Sequence, residues 1–325
     1  GGMEVRMEQK ILGKTGLKVN PFGIGLSSIG HLGDDEEGKS SQVLNTALDL
    51  GINFLDTAPC YNVSEELLGK TISHRRDEYV LATKAGHDLP RGEGIDWTYE
   101  VIVESVDRSL RRMKTDRIDL LQLHSCDISI LERGNVIRAI QDVQTSGKAR
   151  FLGYSGDNKN AEWAITSGLF DTIQTSFSLV DQKARRFVFP EAERRNMGII
   201  IKRPMGNAAW GTDSIHDSDP QPTNEEYFRR AHAMRSEGVL PGQPDSPVLL
   251  ALGFTFSHPE IDVGIVGTTN PEHLRSNLEM LDSKFPISCT TIAALHDRFD
   301  RMGNEWDQRQ GAETGILPFS LGLGS

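Results

Sequence analysis

Ile52-Asn53-Phe54-Leu55-Asp56-Thr57-Ala58-Pro59-Cys60-Tyr61 carries an apolar run straight into a carboxylate and, five residues later, a phenol. A short apolar run of this kind reads as a buried strand, and the Pro-containing stretch after it as the loop beyond. Two more runs end the same way: residues 79–83 lead into Lys84, and residues 118–123 lead into His124. Any one of these is ordinary, since an Asp at a strand end commonly caps a loop and a Lys there commonly reaches water. Their arrival in order, each at the C-terminal end of a strand, is how active sites are assembled on parallel barrels.

Outward from these three runs the alternation continues. Short apolar runs over residues 22–26, 52–55, 79–84, 118–124, 149–155, 172–176, 198–202 and 262–266 are separated by longer amphipathic stretches. That is the signature of repeated strand–helix units around a parallel sheet. Residues 99–113 set Val101, Ile102, Val106, Leu110 and Met113 at helical spacing, and residues 131–145 and 246–257 read likewise, the former with Gly147 as its stop. Eight such units predict an α/β fold, a (β/α)8 TIM barrel. Ahead of them, two apolar segments flank Lys14-Thr15-Gly16 and predict a β-hairpin over about residues 9–20, placed to close the barrel's bottom.

The 325 residues are expected to form one domain over residues 1–325, since single barrels commonly exceed ~250 residues. The loop 204–222 and the tail 303–325 exceed ordinary connections and stand where a barrel builds specificity. With 37% hydrophobic and 25% charged residues, the composition is that of a soluble enzyme. A net charge of -11 without a long basic run argues against a nucleic-acid partner. The longest nearly apolar stretch, residues 248–256, is too short to span a bilayer, and no leader pattern is present, so no membrane partner and a cytoplasmic location are expected. Cys60, Cys126 and Cys289 lack the paired spacing of a zinc site or disulfide framework, and no metal is expected. A monomer suffices. Gly1 and Gly2, ahead of Met3, read as an expression remnant and are set aside.

Gly23-Ile24-Gly25-Leu26-Ser27-Ser28 opens like a dinucleotide fingerprint, but Ser28 stands where a third glycine is needed. A Rossmann reading fails there. A better anion site is Gly267-Thr268-Thr269-Asn270-Pro271, which leads from the last strand into a helix with Asn270 as N-cap and Pro271 at the first helical position. Free backbone N–H groups at such a start attract phosphate. The same segment reads equally well as a capped helix and nothing more.

In residue type, order and spacing, Asp56, Tyr61, Lys84 and His124 resemble the catalytic tetrad of the aldo-keto reductase family, and the resemblance covers roughly residues 8–285. It implies NAD(P)H-dependent, reversible reduction of the carbonyl of a small aldehyde or ketone, sugars included. Tyr61 is then the general acid, Lys84 and Asp56 tune its pKa, and His124 orients the carbonyl. The resemblance places Ser155 and Gln174 on the nicotinamide carboxamide. It places Gly267, Thr268, Thr269 and Asn270 on the adenosine phosphate and Asn277 on adenine. Lys202 stands where an aromatic often stacks on the nicotinamide; its stem can cover the ring, or it serves only as an ion-pair partner. Gly156 and Asp157 depart from the Asn that many members carry after the serine. Gly267 and Asn270 occupy positions where lysine is common, leaving His273 and Arg275 for a 2′-phosphate, which favours NADPH over NADH. Trp97, Trp210 and Trp306 lie in loop-like stretches as candidate lining of a substrate pocket, Trp210 favoured because it follows the seventh strand.

A free phenol near pKa ~10 is a workable acid only if its conjugate base is stabilised, so Lys84 is expected to lower the pKa of Tyr61. Cys60 and Cys126 sit beside tetrad residues. A thiol near Lys84 is a candidate for a lowered pKa and oxidation sensitivity, against the plainer role of small filler. Two other readings use the same residues: a Schiff-base lyase or aldolase with Lys84 as nucleophile, which a partner carboxylate at Asp56 disfavours, and a non-catalytic nicotinamide-sensing subunit.

Overall fold

The computed structural model describes residues 7–30, 37–87, 94–211, 222–282 and 287–309. A hairpin of β1 (Lys10–Ile11) and β2 (Lys18–Val19) pairs antiparallel, with Lys10 opposite Val19. Eight parallel strands follow: β3 (Phe22–Gly25), β4 (Phe54–Asp56), β5 (Val80–Ala85), β6 (Ile118–His124), β7 (Ala149–Ser155), β8 (Thr172–Ser176), β9 (Gly198–Lys202) and β10 (Val263–Gly267). They close in chain order, β10 pairing with β3 to complete the barrel. Each of the eight apolar runs became a strand, with bounds shifted by two residues or fewer.

The strands are buried on both faces because both are covered. One face packs inside the barrel: Phe54, Val80, Ala82, Leu120, Ile200, Val263 and Ile265 form one buried cluster. The alternate residues Leu55, Leu81, Leu121, Leu123, Ile199 and Ile201 belong to a larger cluster shared with the helices. Leu12 and Val19 of the hairpin join the inner cluster and close its floor. Gly23 also belongs to this packing: a Cβ there would stand 2.8 Å from Val263 Cγ2 and 3.2 Å from Phe54 Cδ1. Its place in the Gly-x-Gly run answers to the width of the barrel.

Side chains alternate with a period of two, so the inner row can be followed toward the C-terminal ends. Two residues beyond Phe54 is Asp56; beyond Ala82, Lys84; beyond Leu120, Gln122 and then His124; beyond Ile200, Lys202. All five polar residues are buried. The same row that builds the apolar floor thus delivers a polar ceiling.

The helix Tyr99–Met113 forms as expected, with the Thr98 hydroxyl accepting from the Val101 N–H at 3.3 Å. Ser246 likewise caps Pro247–Phe256. The single helix read over residues 131–145 is corrected: the chain forms Ile128–Arg133 and Asn135–Thr145, separated by Gly134 at φ 82°. Glycine enters the left-handed region without a Cβ penalty, which ends the first helix. Of the two long connections, residues 212–221 and 310–325 lie outside the described residues, as do Gly1 and Gly2. Among the described residues no helix is long and apolar enough to cross a membrane. Leu12→Ala, which empties part of the barrel floor, is expected to lower unfolding free energy by about 2–5 kcal/mol in urea titration.

Candidate active site

Asp56 and Lys84 form an ion pair of 2.7 Å, each side chain 1% exposed. The ammonium also donates to the Thr57 carbonyl at 3.1 Å and to the Tyr61 hydroxyl at 3.2 Å. The other oxygen of Asp56 accepts from Gln122 Nε2 at 2.9 Å and Gln174 Nε2 at 3.0 Å. Because an ammonium only donates, the Tyr61 oxygen is the acceptor in its bond with Lys84, and its own hydrogen points elsewhere. The rings of Tyr61 and His124 lie edge to face at 6.3 Å. His124 Nδ1 stands 3.8 Å from Cys60 Sγ, and buried His124 Nε2 has no hydrogen-bond partner among the described residues.

Burial sets the protonation states. It pushes the Tyr61 phenol up to about 12, outweighing the Lys84 charge that acts in the opposite sense. The expected lowering of Tyr61 is therefore corrected: Lys84 moderates a rise. For Lys84, burial alone pulls the ammonium down, but Asp56 and Tyr61 outweigh it and hold it above the usual lysine range. A nucleophilic amine at Lys84 is disfavoured by that charge and by its three donated bonds. Burial, reinforced by the charge of Lys84, holds His124 well below the usual imidazole range, so the ring is neutral near pH 7.

Asp56, Tyr61, His124, Ser155, Gln174, Lys202 and Gly267 line one cavity of about 390 Å³. Gln174 commits its Nε2 to Asp56 and to Gln122 Oε1 at 2.8 Å, leaving Oε1, with the Ser155 hydroxyl at 3.4 Å, as its remaining polar atom. Lys202 pairs with Asp157 at 2.9 Å, and Arg203 approaches the same carboxylate at 3.6 Å. The second Asp157 oxygen accepts from the Thr175 hydroxyl and from the N–H and hydroxyl of Ser176, each at 2.9 Å. Burial pulls the Lys202 ammonium down to about 8, against the pull of Asp157 in the other direction. Arg203, Asn207 and Ala208, also on the cavity wall, have φ of 53°, 54° and 62°. Non-glycine residues rarely hold such backbone, and it concentrates at functional sites.

Comparison with known proteins decides the lineage. The model of the Aldo/keto reductase family matches residues 21–296. The chain belongs to that family. It is 28% identical to an uncharacterised oxidoreductase of Bacillus subtilis, over 86% of this chain and 92% of the relative. It is also 28% identical to the L-galactose dehydrogenase of Arabidopsis thaliana, over 84% and 88% respectively. A solved aldo-keto reductase of Bacillus halodurans in its holo form superposes with a TM-score of 0.76 at 25% identity, covering 90% of this chain and 96% of that one. This aldo/keto reductase is thus an oxidoreductase of the NAD(P)H-dependent, carbonyl-reducing kind.

Of the residues expected to hold the adenosine phosphate and adenine, Gly267 alone lines the cavity. Thr268, Thr269 and Asn270 follow Gly267 into the helix Pro271–Asp282, with Asn270 Oδ1 accepting from the Glu272 N–H at 3.0 Å. His273 and Arg275 on that helix are exposed and Asn277 is partly buried; none of these six lines the cavity itself. A Cβ at Gly267 would meet Ser28 Oγ at 3.0 Å, so that wall admits close approach of backbone.

The tryptophans divide. Trp97 packs on His87, with ring centroids 4.7 Å apart, beside His124. The other two expectations are corrected: Trp210 is buried in the outer core, and Trp306 packs against Phe299 at 5.6 Å, under Arg230. Their apolar area found closer partners than the cavity. Sequence reading missed Gln122, Arg203 and His87; inward parity two residues before His124 was the available signal for Gln122.

For the thiols, burial favours the plainer of the two readings, small filler over a lowered pKa. Burial raises both Cys60 and Cys126 to about 12, and for Cys60 the Lys84 charge is the lesser influence. At pH 8 both thiols are then held protonated. Ellman titration of the native chain is expected to read one fast thiol, the exposed Cys289, with Cys60 and Cys126 slow until denaturant is added.

Proposed function

We propose that this aldo/keto reductase reduces the carbonyl of a small aldehyde or ketone, preferentially with NADPH, and that Tyr61 is its general acid. The observation that carries this is the pairing of two open hydrogen-bond positions beside one cavity. The Tyr61 hydroxyl accepts from Lys84 and so directs its hydrogen elsewhere, next to a buried His124 Nε2 with no partner among the described residues. Cys60 Sγ, its thiol held protonated, lies 3.8 Å from Nδ1; a thiol donating there leaves the hydrogen of the neutral ring on Nε2, the tautomer this reading requires.

A carbonyl oxygen then accepts from Tyr61 and from His124, and both donors stabilise the negative charge that develops on it. The nicotinamide supplies the hydride. Tyr61 gives its proton to that oxygen, and Lys84 stabilises the phenolate left behind while Asp56 keeps Lys84 in place. Ser155 and Gln174, whose Oε1 accepts from the Ser155 hydroxyl at 3.4 Å, would hold the carboxamide, and Lys202 and the loop from Gly267 to Asn270 would face the phosphates. The NADPH preference is supported by the exposed His273 and Arg275 near the start of the following helix. Asn277 would read adenine. A sugar carbonyl is supported by the likeness to L-galactose dehydrogenase. One chain carries all these residues, so the chemistry needs no partner subunit.

Titration with NADPH and NADH, followed by tryptophan fluorescence, tests the reading. Saturable binding is expected, with Arg275→Ala weakening NADPH about tenfold and NADH little, since the lost contact is one charged pair. Tyr61→Phe is expected to lower kcat for carbonyl reduction by about 10²–10⁴ while cofactor binding persists. Binding of neither nucleotide sinks the proposal. The Lys202 ammonium is lost as pH rises through about 8, so cofactor affinity is expected to fall across that range. In Lys202→Met that step is expected to vanish.

A further inference from the structure

Two cations on the cavity wall, Lys202 and Arg203, share one buried carboxylate: both approach Asp157 Oδ2, at 2.9 Å and 3.6 Å. The Arg203 side chain is 7% exposed, and its Nε and Nη1 have no hydrogen-bond partner among the described residues. Donors of a guanidinium withdrawn from water call for an acceptor, and a phosphate brings both oxygens and the matching charge. Where the two cations stand depends on where Asp157 stands.

Asp157 is fixed in large part from the other end of the chain. Gln308 Nε2 donates to the Ser176 carbonyl at 2.7 Å, which settles the orientation of the amide, and to Thr175 Oγ1 at 2.8 Å. With its oxygen accepting there, the Thr175 hydroxyl turns its one hydrogen to Asp157 Oδ1, 2.9 Å away. Gln308 Oε1 accepts at 2.9 Å from the N–H of Asn158, the peptide group that follows Asp157. Asn158 holds φ 55°, backbone that asparagine tolerates better than most residues, and its side chain bonds the main-chain N–H and carbonyl of Gln308, each at 2.9 Å. The next carbonyl, that of Arg309, accepts from Arg203 Nη2. Residues 308 and 309 therefore hold Asp157 through both its side chain and its backbone, and hold Arg203 directly.

We infer that Gln308 is a positioning residue for cofactor binding, holding Asp157 where that carboxylate aims Lys202 and Arg203 at the phosphates of the nicotinamide nucleotide. Gln308 itself does not line the cavity. Without its amide, the Thr175 hydroxyl loses the donor that directs its hydrogen and the Asn158 N–H loses its acceptor, so Asp157 and the two cations are no longer set in advance. Cations ordered before binding hold an anion more tightly than cations that must be ordered by it. Both nucleotides carry the pyrophosphate, so the effect falls on NADPH and NADH alike, in contrast to the loss at Arg275. This inference rests on the reading that Lys202 faces the phosphates.

The test is titration of Gln308→Ala with NADPH and with NADH across pH 6 to 10, read by tryptophan fluorescence. Kd for each nucleotide is expected to rise about tenfold at pH 7, the scale of one hydrogen bond. The midpoint of the affinity loss, near pH 8 in the wild-type chain, is expected to move to lower pH, because Asp157 holds the Lys202 ammonium up against burial and the charges of Arg203 and Lys84. A residue that only supported the fold would lower the melting temperature without moving that midpoint. Thr175→Val, which removes the hydroxyl and keeps the shape, is expected to act in the same sense and serves if Gln308→Ala does not fold. Wild-type affinity with an unmoved midpoint in both variants overturns the inference. Weaker binding at an unmoved midpoint overturns it too, leaving Gln308 to the fold alone. A wild-type chain that binds neither nucleotide, or binds with no step near pH 8, overturns instead the reading beneath it, a result visible before any variant is made.

Discussion

A lysine ammonium and a carboxylate, both almost wholly withdrawn from water inside an apolar barrel, constrain everything around them. Desolvating two charges costs more than their attraction returns unless the remaining donors and acceptors are filled. Here they are filled: Gln122 and Gln174 take the free oxygen of Asp56, and the Thr57 carbonyl and Tyr61 hydroxyl take the remaining bonds of Lys84. The position of Tyr61 is thus a consequence of satisfying a buried charge. Gly30 reinforces it, since a Cβ there would lie 1.9 Å from the Tyr61 carbonyl oxygen and force the loop away.

A second buried carboxylate organises the other side of the cavity by the same rule. Asp157 is surrounded by Lys202, Arg203, Thr175 and Ser176, and although burial alone would raise its pKa, the two cations hold it below the usual range. The chain after the helix Cys289–Met302 is tied to this cluster. Gln308, 4% exposed, donates to the Thr175 hydroxyl at 2.8 Å and to the Ser176 carbonyl at 2.7 Å, and its backbone N–H donates to Asn158 Oδ1 at 2.9 Å. Residues far apart in the chain thereby brace the strand ends that carry Gln174 and Lys202.

Much of this was legible because strand periodicity is local. Apolar runs, their spacing and the polar residue closing each run lie within a few residues of one another, and they mark eight strands and, at the ends of three of them, Asp56, Lys84 and His124. The glycine caps are partly legible: Gly147 stands where the apolar pattern stops, while Gly134 is hidden because the pattern continues on both sides of it. The loop aromatics were illegible for a different reason. Trp97, Trp210 and Trp306 look alike in sequence, and only the packing of neighbouring segments sends one toward the site and two into other contacts.

By itself the sequence determined the barrel, its hairpin floor and the inward row on which Asp56, Lys84 and His124 lie, since alternation along a strand and the handed closure of strand–helix units follow from local geometry. The tertiary structure alone decided their electrostatics. Whether Lys84 lowers or merely moderates the pKa of Tyr61, and whether His124 is charged, depends on desolvation summed over groups brought from elsewhere in the chain. Gln174, which bonds Asp56 across 118 residues of sequence, is one such group. No local pattern encodes that sum, because burial is a property of the assembled barrel.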